Sequence, residues 1–393
     1  MNKLKVIIVA TGLFIATLAI NLEVPLYADY ARAAGFGSGL TALAFAAYVA
    51  GLLPVLILLG GISDRVGRKP VLLVGLVATL SATILMIISP TVYTLFITRL
   101  LQGVGVGLSV GTGTAYLAEL IGEPHGPTRG AEYAAFTTSL GFGGGALFTT
   151  IVLLFHSTTV PASYWVVVAL SLISLLLVSS LPNYRLNPTA SPLRPPHYPP
   201  GTVFIGMTIA VGWAVCGLVI AVVPTQLAHN NLAIWSGPAL FLVNFTGAIC
   251  QPVVRKLEAH QALNIGFGLL PVGCGLLVLG VWTGLIWLIL LGAAVSGASC
   301  YGFTYLGGLA EVARLAGDQR ARAVSGYFLF AYLGFGIPSI VIGFLADIIG
   351  GLPALIIFFW VITISIIALA YKLKQQVPAS KIIYAATNIE TPE

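Results

Sequence analysis

Two ionisable residues stand inside long apolar stretches, where a charge is costly enough to suggest a chemical use. Glu23 lies in AINLEVPLY and Arg99 lies in ITRLLQGVGVGLSVGTG. An arginine at the centre of a membrane helix costs about 2.5–3.5 kcal/mol on insertion scales, which a partner or a wet cavity can offset. Both residues are expected at similar depths, a few residues from the outer ends of their stretches, so a Glu23–Arg99 pair or a shared water network is a candidate arrangement, with Glu23 as a proton carrier. Two other interpretations stay open: Arg99 reaches the lipid headgroups, and Glu23 is a vestibule residue, as Asp29 is expected to be.

Polar and aromatic residues in the middle of the other apolar stretches are candidates for contact with a small molecule. They are Asn21, Trp213, Gln226, Asn244, Tyr301, Tyr305, Tyr327 and Tyr332. The same residue types also serve in helix packing and at membrane interfaces, so each has a structural alternative. The sequence contains no Walker A motif, no nucleophile–base pair and no cluster with metal-ligand spacing. It therefore predicts neither ATP hydrolysis nor other enzyme chemistry, and no cofactor or metal.

The elements that position these residues are long enough to cross a bilayer. Of the 393 residues, 58% are hydrophobic and 8% are charged, which is more apolar than one water-soluble core requires. Runs of about 20 apolar residues match a hydrocarbon core of about 30 Å. The predicted fold is therefore all-α and transmembrane, with twelve spans at 6–28, 40–59, 71–89, 92–117, 131–155, 164–181, 202–224, 235–254, 262–282, 285–309, 323–346 and 353–371.

The basic residues are concentrated in alternate loops between these spans. Of the 18 Lys and Arg residues, all except Arg32 and Arg99 lie at the termini, in the central linker or in the loops on that side. The positive-inside rule therefore predicts a plasma (inner) membrane protein with both termini in the cytoplasm. The net charge of +6 is then a topology signal and not a nucleic-acid patch. The first apolar run is longer than a signal-peptide core, so it is interpreted as span 1.

Short sequence matches indicate that the spans form two related halves. LAEL at 117–120 recurs as LAEV at 309–312, and LGFG at 140–143 recurs at 333–336. With six spans in each half, the repeat is parallel. The predicted boundaries are 1–181 and 202–371 for the halves, 182–201 for a proline-rich cytoplasmic linker and 372–393 for a cytoplasmic tail.

The loop between spans 2 and 3 concentrates charge in the stretch GGISDRVGRKP. Positive-inside charge explains its basic residues but not its acid or its spaced glycines. Together with the twelve spans and the central linker, this motif resembles the loop 2–3 signature of the major facilitator superfamily. The resemblance implies a conformational latch formed by Gly60, Asp64, Arg65, Gly67, Arg68 and Glu119.

In such a latch, the carboxylate of Asp64 would face the start of span 11, where the helix dipole favours a negative charge. Arg68 would pair with Glu119 at the end of span 4. The corresponding stretch of the second half, QPVVRKLEAH, has Arg255 in the place of Asp64 and lacks both glycines. The latch is therefore expected to be asymmetric.

Spans 4 and 5 contain two further resemblances. Arg99, Gln102 and Gly103 are similar to a fourth-helix motif found in proton-coupled members of the superfamily. Span 5 contains LGFGGGALF, which resembles the fifth-helix motif of drug:proton antiporters, although Gly145 stands where that motif has a proline. The resemblance to the antiporter branch is therefore only partial.

The resemblance as a whole implies a secondary transporter that works by alternating access. Glu23 and Arg99 would couple a proton gradient to the export of small organic compounds. Proton-linked uptake of a metabolite is the first alternative, and a non-transporting membrane sensor is the second. The expected partners are a small-molecule substrate, protons and the lipid bilayer, for a monomer that binds no nucleic acid.

Overall fold

Helices make up the architecture of the computed structural model, which describes residues 3–184, 189, 191–193 and 195–387. Twelve helices in these residues are long and apolar enough to cross a membrane, so the predicted all-α, twelve-span fold is confirmed. Spans 1 to 12 are Lys3–Ala33, Ser38–Leu58, Arg68–Ile88, Val92–Ile121, Gly126–Phe155, Ala162–Ser179, Thr202–Ala221, Ala233–Val254, Ala259–Thr283, Ile286–Leu315, Arg322–Ile349 and Gly351–Leu373. Arg185 and Arg194, two cations of the predicted linker, lie outside the described residues.

Several helices are longer than the sequence predicts. Span 1 begins at Lys3 and ends at Ala33, and spans 4 and 5 are each 30 residues long. The last helix continues beyond its membrane span to Thr387, so the described part of the predicted tail is helical. The division of the chain into two halves at the linker stays a prediction.

Spans 1, 7 and 10 are not regular α-helices along their whole length. Span 1 passes through two 3₁₀ turns, Ala19–Asn21 and Val24–Leu26, before its last helical segment. Pro25 contributes to this break because it has no N–H group to donate. Pro224 stands in the short helix that continues span 7, and span 10 contains the π-helical segment Ala298–Thr304. The break in span 1 leaves backbone carbonyls open to side chains from span 4.

The ends of the spans form two faces of the molecule. The side that carries residues 182–201 is called the linker face, and the side that carries the loops after spans 1 and 11 is called the opposite face. On the linker face, Gly61 N donates to Pro192 O (3.0 Å) and His197 N donates to Arg322 O (3.1 Å). The described part of the linker therefore contacts loops from both predicted halves.

Close helix crossings in this bundle depend on glycine. A Cβ atom at Gly103 would overlap the backbone carbonyl of Tyr48, where span 4 crosses span 2. A Cβ atom at Gly145 would overlap the carbonyl of Leu18, where span 5 crosses span 1. Small residues let membrane helices approach this closely. Gly103 and Gly145, both singled out by their motifs, therefore have a packing function.

Candidate functional site

A central cavity of ≈ 270 Å³ lies between the spans of the two predicted halves. Its walls come from spans 1, 2, 4, 5, 7, 8, 10 and 11. Most of the predicted contact residues line it, namely Asn21, Trp213, Asn244, Tyr301, Tyr305 and Tyr332. Arg99 lines the cavity as well, so the span 4 motif and the contact residues belong to one site.

One wall of the cavity is a cluster of aromatic rings around Trp213. Trp213 packs edge-on against Tyr301, Tyr332 and Phe335, with ring centroids 5.3, 5.1 and 5.6 Å away. Phe335 packs in turn against Phe45 of span 2, at 4.7 Å. Edge-to-face pairs of this type contribute about 0.5–1.5 kcal/mol each beyond the burial of their area. The cluster joins spans 2, 7, 10 and 11 and gives the cavity an apolar surface.

Other lining residues carry no sequence signal strong enough to single them out. They are Phe45, Tyr48, Phe142, Phe328, Phe335, Thr138, Ser139 and Gln251. Each lies in an apolar span, where the residue type does not show which way the side chain faces. The one usable signal was spacing, since Phe45, Tyr48 and Leu52 follow one another at three and four residues, on one side of span 2.

Two predicted contact residues do not line the central cavity. Gln226 lies on the opposite face, where its Nε2 is 3.4 Å from Ser38 Oγ. Tyr327 is 2% exposed, and its hydroxyl donates to the carbonyls of Thr304 (3.1 Å) and Tyr305 (3.2 Å). The structure corrects the prediction here because Gln226 follows the break in span 7, and Tyr327 points into the contact with span 10.

A buried network joins the two charges that stand inside the membrane spans. Gln102 lies between them: its Nε2 donates to Glu23 Oε1 (3.0 Å), and its Oε1 accepts from Arg99 Nη1 (3.1 Å). Arg99 Nη1 also donates to the carbonyl of Ile20 (2.7 Å), and Gln102 Nε2 donates to that of Ala19 (3.1 Å). Both carbonyls belong to the broken part of span 1. Gln102 therefore mediates the expected pairing, and the ion pairs of the described residues do not include a direct Glu23–Arg99 contact.

Both charged side chains of this network are completely enclosed by protein. Glu23 and Arg99 are each 0% exposed, so Arg99 does not extend to the headgroups and Glu23 is not an open vestibule residue. The guanidinium carbon of Arg99 lies 5.1 Å from the centre of the Tyr27 ring, a cation–π arrangement. Within the described residues, Glu23 Oε2, Arg99 Nε and Arg99 Nη2 have no hydrogen-bond partner. The network therefore retains an acceptor and two donors for a further partner.

The charged loop between spans 2 and 3 forms an ion-pair cluster on the linker face. Arg68 is 5% exposed, and its Nη1 lies 2.5 Å from Asp64 Oδ1 while its Nε lies 2.8 Å from Glu119 Oε1. The contact that the motif implied between Arg68 and Glu119 is present. It ties the loop to the end of span 4.

The backbone conformation at position 67 explains why the motif has a glycine there. Its φ is +105°, and a Cβ atom there would overlap the side chain of Asn183 in the linker. Side chains other than glycine rarely adopt such a φ, so this turn needs glycine. Gly60 and Arg65 are both exposed.

The start of span 11 contacts the linker in this structure. Arg322 Nε donates to the carbonyl of Pro195 (3.1 Å). Asp64, for its part, is held by Arg68. A contact between Asp64 and the start of span 11 therefore stays a prediction for another arrangement of the linker face.

Arg255 occupies the place in the second half that Asp64 has in the first. Its Nη1 lies 2.8 Å from Glu132 Oε1, near the start of span 5, and both side chains are partly exposed. The second-half loop therefore makes its own ion pair across the halves, with the charges reversed. The two loops thus make different ion pairs, and the expectation of an asymmetric latch stays a prediction.

The opposite face is joined by hydrogen bonds between spans 2 and 11. Asp347, near the end of span 11, accepts from the backbone N–H groups of Ser38 (2.7 Å) and Gly39 (2.8 Å). These groups begin span 2, where the helix dipole favours a carboxylate. Ser38 Oγ also lies 2.6 Å from Thr225 Oγ1, beyond the end of span 7. Contacts between the predicted halves thus close the opposite face.

The family model named Major Facilitator Superfamily matches residues 9–332. The chain belongs to the major facilitator superfamily. The match runs from span 1 into span 11 and includes the Glu23–Gln102–Arg99 network. The family and the twelve-span fold make the protein a multi-pass membrane protein.

Solved structures of other transporters share the superfamily fold. The human organic anion transporter MFSD10 (TETRAN) is 18% identical, with a TM-score of 0.66, covering 93% of this chain and 99% of its own. The nucleoside transporter NupG is 14% identical, with a TM-score of 0.71 and coverage of 92% and 98%. A POT family transporter in complex with a thioalcohol-conjugated peptide is 14% identical, with a TM-score of 0.72 and coverage of 94% and 96%. At these identities the likeness shows the fold alone.

Two proteins from Arabidopsis thaliana match short parts of the chain. Monosaccharide-sensing protein 2 is 31% identical over 108 residues, which is 27% of this chain and 14% of the relative. Monosaccharide-sensing protein 3 is 42% identical over 60 residues, which is 15% of this chain and 8% of the relative. The aligned part of this chain thus spans a small fraction of either relative.

Proposed function

We propose that this superfamily transporter exports small organic compounds in exchange for protons, by alternating access, with its linker face in the cytoplasm. The observation that carries the proposal is the buried Glu23–Gln102–Arg99 network beside the central cavity. Buried acids in membrane spans are rare and are typical of proton pathways. Glu23 is the carboxyl group in that position, and Gln102 links it to a residue of the cavity wall.

The lining of the cavity supports access from the linker face. Its lining includes Leu56, near the linker-face end of span 2, and Gln251, near the linker-face end of span 8. The opposite face is closed through Asp347. This arrangement gives a substrate access to the cavity from the linker face, and the basic loops support a cytoplasmic position for that face.

Proton-linked uptake is a second candidate, favoured by one observation in span 5. Gly145 stands where the antiporter motif has a proline, and span 5 is a continuous helix of 30 residues there. The similar structures are those of an organic anion transporter, a nucleoside transporter and a POT family transporter with a bound peptide conjugate, so the shared fold does not identify one substrate class. The sensor alternative is supported by the names of the two plant relatives, which match short stretches only.

Proteoliposomes containing the whole chain test the proposal. Neutral, cationic and anionic small organic compounds are screened under an imposed pH gradient, and proton movement is followed with a pH-sensitive dye. The wild-type protein should move protons with its substrate. Glu23→Gln should exchange labelled substrate downhill but move no protons, because an amide of the same shape cannot release one.

A control variant separates loss of coupling from general loss of function, and the orientation of the gradient distinguishes an antiporter from a symporter. Asp318→Asn removes an exposed carboxylate near the start of span 11 and should leave coupling unchanged. If Glu23→Gln still moves protons at the wild-type ratio, the carrier lies elsewhere, with Asp29 and Glu132 next to be tested. With the linker face outward, an acidic lumen should drive substrate into the liposomes, whereas a symporter would drive it out.

A further inference from the structure

Two residues that line the central cavity carry buried hydrogen-bond donors without a partner among the described residues. Arg99 Nε, Arg99 Nη2 and Trp213 Nε1 are buried and have no hydrogen-bond partner within the described residues. Arg99 is 0% exposed and Trp213 is 7% exposed, and both line the cavity. Guanidinium and indole groups donate hydrogen bonds and cannot accept them. A ligand that satisfies them must therefore supply acceptors.

The side-chain amides of the cavity wall already use N–H groups within the protein. Asn21 Nδ2 donates to the carbonyl of Phe142 (2.8 Å), and Asn244 Nδ2 donates to that of Leu240 (3.0 Å). Their N–H groups are partly used inside the protein, whereas those of Arg99 and Trp213 are not. Among the side-chain atoms of the wall that are both fully buried and unpaired within the described residues, those of Arg99 and Trp213 are donors.

The described residues that line the cavity carry a formal positive charge and no negative charge. Arg99 is the single charged residue among them, and the lining contains no Asp or Glu. Glu23 lies behind Gln102 and does not form part of the wall.

We propose that the cavity binds an organic anion with a flat apolar body. Its carboxylate, or a similar acidic group, accepts hydrogen bonds from Arg99 Nε and Nη2, which are suited to a two-oxygen acceptor. Its body packs against the rings around Trp213, and a second acceptor reaches Trp213 Nε1. This inference deepens the proposed function, on which it rests in taking the central cavity as the transport site. An organic cation held by the aromatic rings is the rival, and the test includes it.

Three probes with the same body and different charge test the inference in the purified whole chain. They are 1-naphthoate, 1-naphthamide and 1-naphthylmethylamine, each measured by calorimetry at pH 7 in lipid nanodiscs. The wild-type protein should bind naphthoate about tenfold or more tighter than either of the other two, since charge-assisted hydrogen bonds are the stronger ones. Tighter binding of the amine, or no measurable binding of any probe, would overturn the inference.

Variants of Arg99 and Trp213 test whether their N–H groups contact the bound naphthoate. Arg99→Gln should abolish the preference for naphthoate, whereas Arg99→Lys should weaken naphthoate binding and keep the preference. Trp213→Phe keeps an aromatic ring and removes the N–H group, so naphthoate affinity should fall several-fold. If Arg99→Gln does not yield a monodisperse protein, the lysine and phenylalanine variants decide the outcome. A preference that survives Arg99→Gln, or is lost in Arg99→Lys, contradicts the assignment.

These binding measurements use no proton gradient, so they are independent of coupling and direction. A preference for naphthoate in a protein that moves no protons with substrate would reject the proposed function and support the inference. Proton-coupled transport of a cation that competes with naphthylmethylamine would support the proposed function and overturn the inference.

Discussion

Gln102 connects the two buried charges because a primary amide carries a donor and an acceptor on one rigid group. Its Nε2 reaches Glu23 at 3.0 Å while its Oε1 receives Arg99 at 3.1 Å. Neither a hydrocarbon side chain nor a second charge offers both functions. Under the proposed coupling, protonation of Glu23 would change the hydrogen bonds of Arg99 through this glutamine.

Replacing Gln102 with leucine tests this connection. Gln102→Leu has a similar size but leaves Glu23 Oε1 and Arg99 Nη1 with one partner fewer, which costs about 1–3 kcal/mol for a buried polar group. We expect a lower melting temperature in detergent and loss of substrate-driven proton movement. Gln251→Leu is the stability control, since Gln251 is 8% exposed and its contact with the carbonyl of Tyr301 is long, at 3.4 Å. Equal melting temperatures for the two variants would show that the bridge is not stabilising.

The close crossing of span 4 and span 2 depends on the glycine at position 103. Gly103→Ala should push span 4 away from span 2, because the added Cβ would overlap the carbonyl of Tyr48. Overpacking costs about 1–3 kcal/mol, which exceeds the gain of about 1 kcal/mol in helix propensity. Gly111→Ala is the matched control on the same helix, since nothing lies within 4 Å of its added Cβ. Thermal unfolding should rank Gly103→Ala below wild type and Gly111→Ala at or above it, and the reverse order would contradict the crossing.

The loop between spans 2 and 3 is predicted to act when the linker face shuts. Asp64→Asn keeps the shape of the side chain but removes the charge that would favour the start of span 11. Since a carboxylate at a helix N-terminus contributes about 0.3–1 kcal/mol, the closed linker face should become roughly two- to fivefold less populated. We expect normal insertion and slower turnover in proteoliposomes, with Asp318→Asn as the exposed-acid control. Unchanged exchange rates in Asp64→Asn would remove the latch from the mechanism.

The whole molecule is held together at both faces by contacts between its predicted halves. On the opposite face, Asp347 joins span 11 to the start of span 2. On the linker face, the partly exposed pair of Arg255 and Glu132 joins the second half to span 5. Alternating access requires one set of contacts to break as the other tightens, so removing either set should shift the balance between the two states.

Asp347→Asn tests the opposite face directly. The amide accepts at one oxygen and has no charge, so it satisfies the N–H groups of Ser38 and Gly39 less well. The state with the opposite face open should become about two- to fivefold more populated. Pulsed dipolar distances between spin labels at the exposed positions Phe36 and Ile348 report this change.

The control for this experiment lies on the same face. Asp29→Asn removes an exposed carboxylate whose ion pair, with Arg32, is on its own helix at 3.4 Å. It should leave the distance distribution unchanged. Broadening in Asp29→Asn equal to that in Asp347→Asn would indicate a general charge effect and would rule out the specific contact.

Prediction from the sequence succeeded where a motif resembles that of a known family, or where a polar or aromatic residue stands in an apolar span. The paired positions of Arg68 and Glu119 followed from a motif, and most of the polar and aromatic candidates reached the cavity wall. Gln226 and Tyr327 did not, because the break in span 7 and the contact with span 10 turn them elsewhere. A helical pattern shows that a residue lies within a span but not how the span is rotated against its neighbours.

The sequence by itself determined that the chain forms twelve membrane spans, because insertion of a helix depends on the hydropathy of that segment alone. It also pointed to Glu23 and Arg99, whose cost in an apolar segment is visible without a structure. Only the tertiary structure decided that Gln102 lies between them, since that contact needs span 1 to break at Ala19 and Ile20 and to meet span 4 there. The cap of span 2 by Asp347 is likewise a contact over more than 300 positions in the chain. Such contacts depend on how complete helices pack, which no single segment specifies.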